Sequence, residues 1–196
     1  MSPVATFVCA HGAGGHMADR SMTAVATALE TVGFDLVRFN FPYREKGSKR
    51  PDPMPVLKQT IAAVAAKVRG KGKLVIGGRS MGGRAASMLA ADGFECDGVL
   101  LLAYPLHPAG QPEKLRVAHL ASIGVPVLCF NGTRDELCRR ELMESAVKGL
   151  ERWQMHWLEG ADHSFRVLKS SGRTDADVLR EVSEASRAWL EAHGRK

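Results

Sequence analysis

The sequence predicts an α/β protein, a three-layer sandwich in which a six-stranded, mostly parallel sheet carries helices on both faces. Three observations predict it. Short apolar runs rich in β-branched residues alternate with helix-period segments along the whole chain. Several of these runs are apolar at every position instead of every second one, as strands covered on both faces are. The connections between runs and helices are short, which in a strand–helix–strand repeat implies right-handed crossovers.

The strand candidates, in order, are residues 5–10, 34–39, 74–77, 98–103, 125–130 and 153–158. Between them lie apolar stripes at helical spacing: Met22, Val25, Leu29 and Val32, then Leu57, Ile61, Val64 and Val68. Residues 84–91 read as a third helix, and residues 115–123, with His119 among them, as a helix-like stretch before the fifth strand. Val178, Val182, Ala185 and Trp189 mark the last helix, which opens on Thr174 and Asp177, a capping-box pair with Asp in place of Glu. The absence of internal repeats and long linkers predicts one domain over residues 1–196.

Composition narrows the function. A chain of 196 residues buries roughly 70% of its unfolded surface. With 45% apolar residues, 20 Gly and 9 Pro it is neither a disordered nor a collagen-like sequence. No apolar run approaches the ~18 residues that cross a bilayer, and residues 4–10 run straight into His11-Gly12 with no basic segment before them. The expectation is a cytoplasmic protein with no membrane partner. Cys9, Cys96, Cys129 and Cys138 show no CxxC spacing, and reduced, buried thiols are expected in place of disulfides or a zinc site. The formal net charge is +6. Its one local cluster, Arg44, Lys46, Lys49 and Arg50, lies in a Pro/Gly loop without the interleaved aromatics of single-strand binders, so it reads as a solvated loop and no nucleic-acid partner is expected.

The segment with chemical content is residues 74–83, a buried strand running into Gly78-Arg79-Ser80-Met81-Gly82 and then into a helix. A serine on a sharp strand-to-helix turn is held clear of both elements, and glycines at 78 and 82 let the backbone pass closely enough. A serine hydroxyl is a weak nucleophile without a base, and the base needs an acid to hold its tautomer. In this architecture the partners follow in the order Ser, Asp, His, each just beyond a later strand. Asp135 follows the fifth strand and His163 the sixth, which makes Ser80, Asp135 and His163 the candidate catalytic set. Asp162 is the rival acid, but side chains adjacent on a loop seldom meet in the required geometry. Of the other histidines, His193 lies in the tail and His156 within a strand.

Developing negative charge on a carbonyl oxygen needs two backbone N–H donors. Met81, after the serine, supplies one; Gly12 or Ala13, in the His11-Gly12-Ala13-Gly14-Gly15 loop after the first strand, supplies the other. The alternative of a phosphate-cradling loop lacks the G-x-G-x-x-G spacing and a Walker lysine. His11 and His16 have no third ligand nearby, so no metal is expected. Arg79 and Arg84 flank the turn, where bracing it is the commoner role and binding an anionic substrate the rarer one. Phe41, Tyr43, Tyr104, Leu106 and Phe165 are expected to wall a shallow substrate pocket with Met81, since residues 104–114 are too few to build a lid.

With those residues assembled, the chain resembles an α/β-hydrolase. Within that superfamily it resembles the small group that joins bacterial dienelactone-hydrolase-like proteins with eukaryotic testis-expressed protein 30 and the third regulatory subunit of the NSL acetyltransferase complex. HGAGG, NFPYRE, GGRSMGGRAAS, YPLHPAGQPEKLR, NGTRDE and DHSFRVLKSSGRT carry the resemblance over nearly the whole chain. It implies a six-stranded core without the first two strands of larger hydrolases, and Ser80, Asp135 and His163 as the triad. The chain departs from dienelactone hydrolases at the nucleophile, a cysteine there and Ser80 here. The expectation is a cofactor-free serine hydrolase acting on a small carboxylic ester or thioester. The reading from another class is a non-catalytic interaction module that keeps the hydrolase shell.

Overall fold

The computed structural model describes residues 4–70 and 72–193. Six strands form one sheet: β1 (Ala5–Ala10), β2 (Phe34–Phe39), β3 (Lys73–Arg79), β4 (Gly98–Leu102), β5 (Val127–Gly132) and β6 (Trp153–Leu158). Their order is β2-β1-β3-β4-β5-β6, and every pair is parallel, where the sequence predicted mostly parallel. The helices are α1 (Arg20–Glu30), α2 (Pro42–Glu45), α3 (Met54–Val68), α4 (Met81–Ala91), α5 (Arg140–Val147) and α6 (Asp175–Ala192).

β4 shows why the central strands are apolar throughout. Val99 and Leu101 face the core shared with α3 and α4, while Leu100 and Leu102 face the one shared with α1 and α6. All four are essentially fully buried, each side chain contributing about 1.5–3 kcal/mol of transfer free energy. The outer strands are different: Asp35 on β2 and Gln154 on β6 are exposed, as edges open to water require. The chain steps from β1 outward to β2 and returns to β3 on the opposite side of β1, so the strand order switches between β1 and β3. In open α/β sheets ligands bind at the carboxyl ends of the strands beside such a switch.

Boundaries differ from the sequence reading for local reasons. β5 starts at Val127 because Pro126 has no N–H to give the ladder; its carbonyl accepts from Val99 N–H at 2.9 Å. β4 stops at Leu102 because Ala103 turns to φ 54°. Val32 lies beyond the end of α1, and in α3 the fully buried stripe is Leu57, Ile61 and Ala65, with Val64 and Val68 half-buried. The unexpected α2 is a single turn started by Pro42, and α5 buries only Met143 fully, too short a stripe to read from spacing. The capping box of α6 is formed, Thr174 Oγ1 accepting from Asp177 N–H and Asp177 Oδ2 from Thr174 N–H.

The helix expected over residues 115–123 is absent apart from a 3-10 turn at Leu120–Ser122. Its backbone groups are taken by partners elsewhere. Arg116 N–H donates to Leu106 O at 2.8 Å, Tyr104 Oη–H to Arg116 O at 2.7 Å, and Trp153 Nε1–H to Leu120 O at 3.3 Å. His119 precedes this turn, its Nε2 2.8 Å from Ser87 Oγ, which itself donates to Arg84 O.

Burial, and then the Arg84 charge, lower the pKa of His119 from 6.5 to about 4. The folded state thus holds this proton less tightly than the unfolded chain, so the stability His119 contributes is complete above about pH 6.5 and lost as pH falls towards 4. Urea midpoints measured at about pH 7 and about pH 4.5 should therefore drop less in His119→Gln than in the wild type. Equal drops would assign the acid sensitivity to other groups.

Candidate active site

At the end of β3 the backbone meets the end of β1 more closely than a side chain allows. A Cβ on Gly78, which sits at φ +143°, would lie 2.2 Å from Ala10 O, and one on Gly82 would lie 2.5 Å from His11 O. A Cβ on Gly83 would come within 2.6 Å of Gly78 O. Ser80 stands between these glycines at φ 49°, ψ −117°, a strained position for a residue with a Cβ, and begins α4 as its N-cap. Its N–H is held by Leu102 O at 2.9 Å and its carbonyl accepts from Arg84 N–H at 2.9 Å. The side chain therefore projects from a backbone fixed on both sides.

Asp135 and His163 converge on it. His163 Nε2 lies 3.0 Å from Ser80 Oγ, and His163 Nδ1 lies 2.8 and 2.9 Å from the two carboxylate oxygens of Asp135. With Nδ1–H donated to the carboxylate, Nε2 carries the free lone pair that faces the hydroxyl. The Asp135 side chain is fully buried, while that of His163 is 28% exposed, so the acid is sealed and the base meets solvent. Asp162 is engaged otherwise: its Oδ1 accepts from Ser164 N–H at 2.7 Å and Arg166 N–H at 3.0 Å, shaping the turn behind His163.

Asn131 was not singled out by sequence, although it lies in the NGTRDE stretch. Fully buried, it accepts from Tyr104 N–H at 3.2 Å and donates to Tyr104 O and to Asp135 Oδ2, each at 3.1 Å. It ties the end of β4 to the carboxylate. Asp135 Oδ1 also accepts from Leu137 N–H at 2.9 Å. A Cβ on Gly132 would lie 2.0 Å from Ala161 O, which brings the loop that carries Asp135 against the loop that carries His163.

The backbone N–H groups of Met81, Gly12 and Ala13 carry no hydrogen bond to the described residues. A Cβ on Gly12 would be 3.4 Å from Ser80 Cβ, so this loop passes directly beside the serine. His11 shapes the loop: its Nδ1–H donates to Gly12 O at 2.8 Å and its Nε2 accepts from Phe41 N–H at 3.2 Å. Burial lowers its pKa, in keeping with a neutral ring that both donates and accepts. His16 bonds Asn40 and Ala18, so the two histidines serve separate networks.

The expected pocket walls need correction. Phe41, Tyr43, Tyr104 and Leu106 are at most 2% exposed and belong to the core beneath the strand ends. Phe41 packs edge-on against His11 with ring centroids 4.9 Å apart, so these aromatics support the loops from below. Phe165 is 3% exposed and lies under the Arg79 guanidinium, 5.2 Å from ring to charge. Arg79 donates through Nη2 to His163 O, which is the bracing role. The cleft beside the histidine, about 450 Å³, is lined by Arg134, Glu136, Leu137, Asp162, His163 and Ser164 and is mostly polar.

All four cysteines are free, Cys96 being half-buried and the rest buried. Burial pushes the thiol of Cys9 up to about 12 and that of Cys96 to about 11, away from the thiolate form. Among the described residues no helix is long and apolar enough to cross a membrane.

A family model described as the alpha/beta hydrolase domain matches residues 3–191. Among solved structures, the chain is similar to an alpha-beta serine hydrolase homologue from Coxiella burnetii at TM-score 0.75 and 22% identity, covering 94% of this chain and 86% of that one. It is similar to Est1E from Butyrivibrio proteoclasticus with ferulic acid bound, at TM-score 0.73 and 18% identity, covering 98% and 90%. A dienelactone hydrolase from Anabaena variabilis gives TM-score 0.71 and 19% identity over 97% and 87%. At these identities the likeness shows the fold.

Replacing Asn131 by Ala orphans the buried Tyr104 N–H, leaves Leu106 N–H as the one described donor to Tyr104 O, and removes a donor from Asp135. We expect a loss of about 1–3 kcal/mol, read as a drop in Tm of several degrees. A thermal midpoint equal to wild type would mean that water fills the gap without loss.

Proposed function

The chain belongs to the alpha/beta hydrolase family, and from that premise we propose that it is a serine hydrolase cleaving small carboxylic esters or thioesters. The observation that carries this reading is the continuous hydrogen-bonded line from Ser80 Oγ through His163 to the buried carboxylate of Asp135. In the proposed cycle His163 Nε2 takes the hydroxyl proton as Ser80 Oγ attacks the carbonyl carbon, and Asp135 holds the resulting imidazolium. The oxyanion sits between the N–H of Met81 and that of Gly12 or Ala13, groups free to donate without breaking an existing bond. His163 then protonates the departing alcohol or thiol, leaving an acyl group on Ser80. Water then gives a proton to His163 as its oxygen bonds the acyl carbon, and breaking of the acyl–Oγ bond returns that proton to Ser80 and releases the acid. No bond-making step in this cycle calls for a cofactor.

A partly exposed His163 beside a polar cleft favours short acyl groups. With Phe41, Tyr43, Tyr104 and Leu106 sealed in the core, they offer no apolar channel to a long chain, and the stretch from β4 to the 3-10 turn carries no helix to cover the serine. The cytoplasm is the compartment we infer, in keeping with four free thiols.

A fluorophosphonate probe needs a competent triad and no known substrate. It should label the wild type and leave Ser80→Ala unlabelled; a wild type that resists labelling would assign the shell to a non-catalytic role. In steady-state ester hydrolysis Asp135→Asn should lower kcat by about 10⁴ by holding the wrong tautomer, with Asp162→Asn costing far less. The reverse ranking would move the role to Asp162.

Chain length gives a separate test. Each added methylene gains about 0.8 kcal/mol only where it is fully buried. Across a p-nitrophenyl ester series kcat/KM should peak between acetyl and butyryl and fall by octanoyl. A steady rise to long chains would require an apolar channel that the buried aromatics do not provide.

A further inference from the structure

A groove of about 480 Å³ lies behind the histidine loop, on the face formed by α1 and α6. Its walls include Arg20 and Ser21 from the first turn of α1, Asp175 from the first turn of α6, and Phe165 with Arg166 from the loop after β6. Arg79 lines it from the core side, although it is only 9% exposed. None of Arg20, Arg79 and Arg166 has a carboxylate within ion-pair distance among the described residues. The Arg79 guanidinium makes one hydrogen bond among the described residues, to His163 O, and Asp135 and Asp162 act on it only at longer range, which leaves its other N–H donors open to the groove.

The first turn of α1 adds to this. Asp19 holds the N-cap position, but its carboxylate accepts from His16 N–H at 2.7 Å instead of capping the helix. The N–H groups of Arg20, Ser21 and Met22 have no acceptor among the described residues, and no acidic side chain sits in that turn. An uncapped helix start and three guanidiniums thus meet at one groove. The opposing carboxylate, Asp175, accepts Val167 N–H at 3.1 Å and is outnumbered.

We propose that this groove binds the oxyanion of a small phosphate- or carboxylate-bearing ligand, with Arg79 at its floor and Arg20 and Arg166 at its rim. Guanidinium forks match either oxyanion bidentately. The site is separate from Ser80 and holds whether or not the serine is a nucleophile. It touches the same loop, because the Arg79 guanidinium that faces the ligand also holds the His163 carbonyl.

The test uses thermal unfolding and amide NMR at constant ionic strength with inorganic phosphate, acetate or chloride. Phosphate should raise Tm, by about 3–6 °C at tenfold excess over Kd and logarithmically with concentration beyond it, while chloride does not. A matching rise with acetate would assign the carboxylate class instead. The shift should vanish in Arg20→Gln/Arg166→Gln, two exposed changes outside the proposed triad that leave Arg79 and the fold in place. Amide signals of Arg20, Ser21, Ser164 and Arg166 should move together with the same Kd. No shift beyond chloride with either anion, a shift that survives in the double variant, or perturbations spread over the basic surface would each overturn the proposal.

Discussion

Everything at the carboxyl edge of the sheet depends on two points where backbones approach without room for a side chain. Gly78 and Gly82 let β3 and the start of α4 press against Ala10 and His11, and Gly132 lets the end of β5 press against Ala161. The first contact sets how far Ser80 stands from the loop of Gly12 and Ala13; the second sets how far Asp135 stands from His163. A methyl group at any of these three glycines would fall within about 2.5 Å of a carbonyl oxygen, inside van der Waals contact. Strand separation at that edge would then have to grow, and the 3.0 Å span from Ser80 to His163 with it.

These approaches come with local strain. Ser80, Ala103 and Phe165 are the non-glycine residues at positive φ among those described, and they sit after β3, after β4 and beside His163. Each conformation costs about 1–3 kcal/mol. The cost is offset where it arises, because β4 and β5 are buried on both faces immediately below. Ala103 N–H is also fastened to Phe130 O at 2.8 Å, which locks the turn after β4 to the neighbouring strand.

The sheet, and the chain order in which the converging side chains of Ser80, Asp135 and His163 follow its strands, were legible because they rest on patterns of neighbouring residues: apolar runs, a glycine-flanked serine, polar loops after strands. What escaped were facts about the third dimension. Phe41, Tyr43, Tyr104 and Leu106 follow strand ends, where a pocket wall would also be, and nothing in their spacing separates a wall from a prop under the floor. Residues 115–123 have helix-compatible composition, yet Tyr104 Oη, Leu106 O and Trp153 Nε1 claim their backbone groups. Asn131 looks like a turn residue, but at the end of β5 its amide is the only bridge of its kind between Tyr104 and Asp135 in the described hydrogen bonds. Arg79 could be read as a brace from its place beside the serine; that it also floors a groove on the far face of the sheet could not.

The separation of the three polar residues along the chain has a consequence for how the protein comes into being on the ribosome. Ser80 meets His163 across 83 residues, and His163 meets Asp135 across 28. β3 can pair with β1, and β4 with β3, before β6 is synthesised, and Leu102 O at the end of β4 then holds the Ser80 N–H. At that stage the hydroxyl has no base beside it, and a lone serine is a weak nucleophile. Only when β6 has emerged and docked on β5 does the imidazole arrive. The order of strands in the chain thus sets when the Ser80–His163 contact can form, which is only once the last strand has joined the sheet.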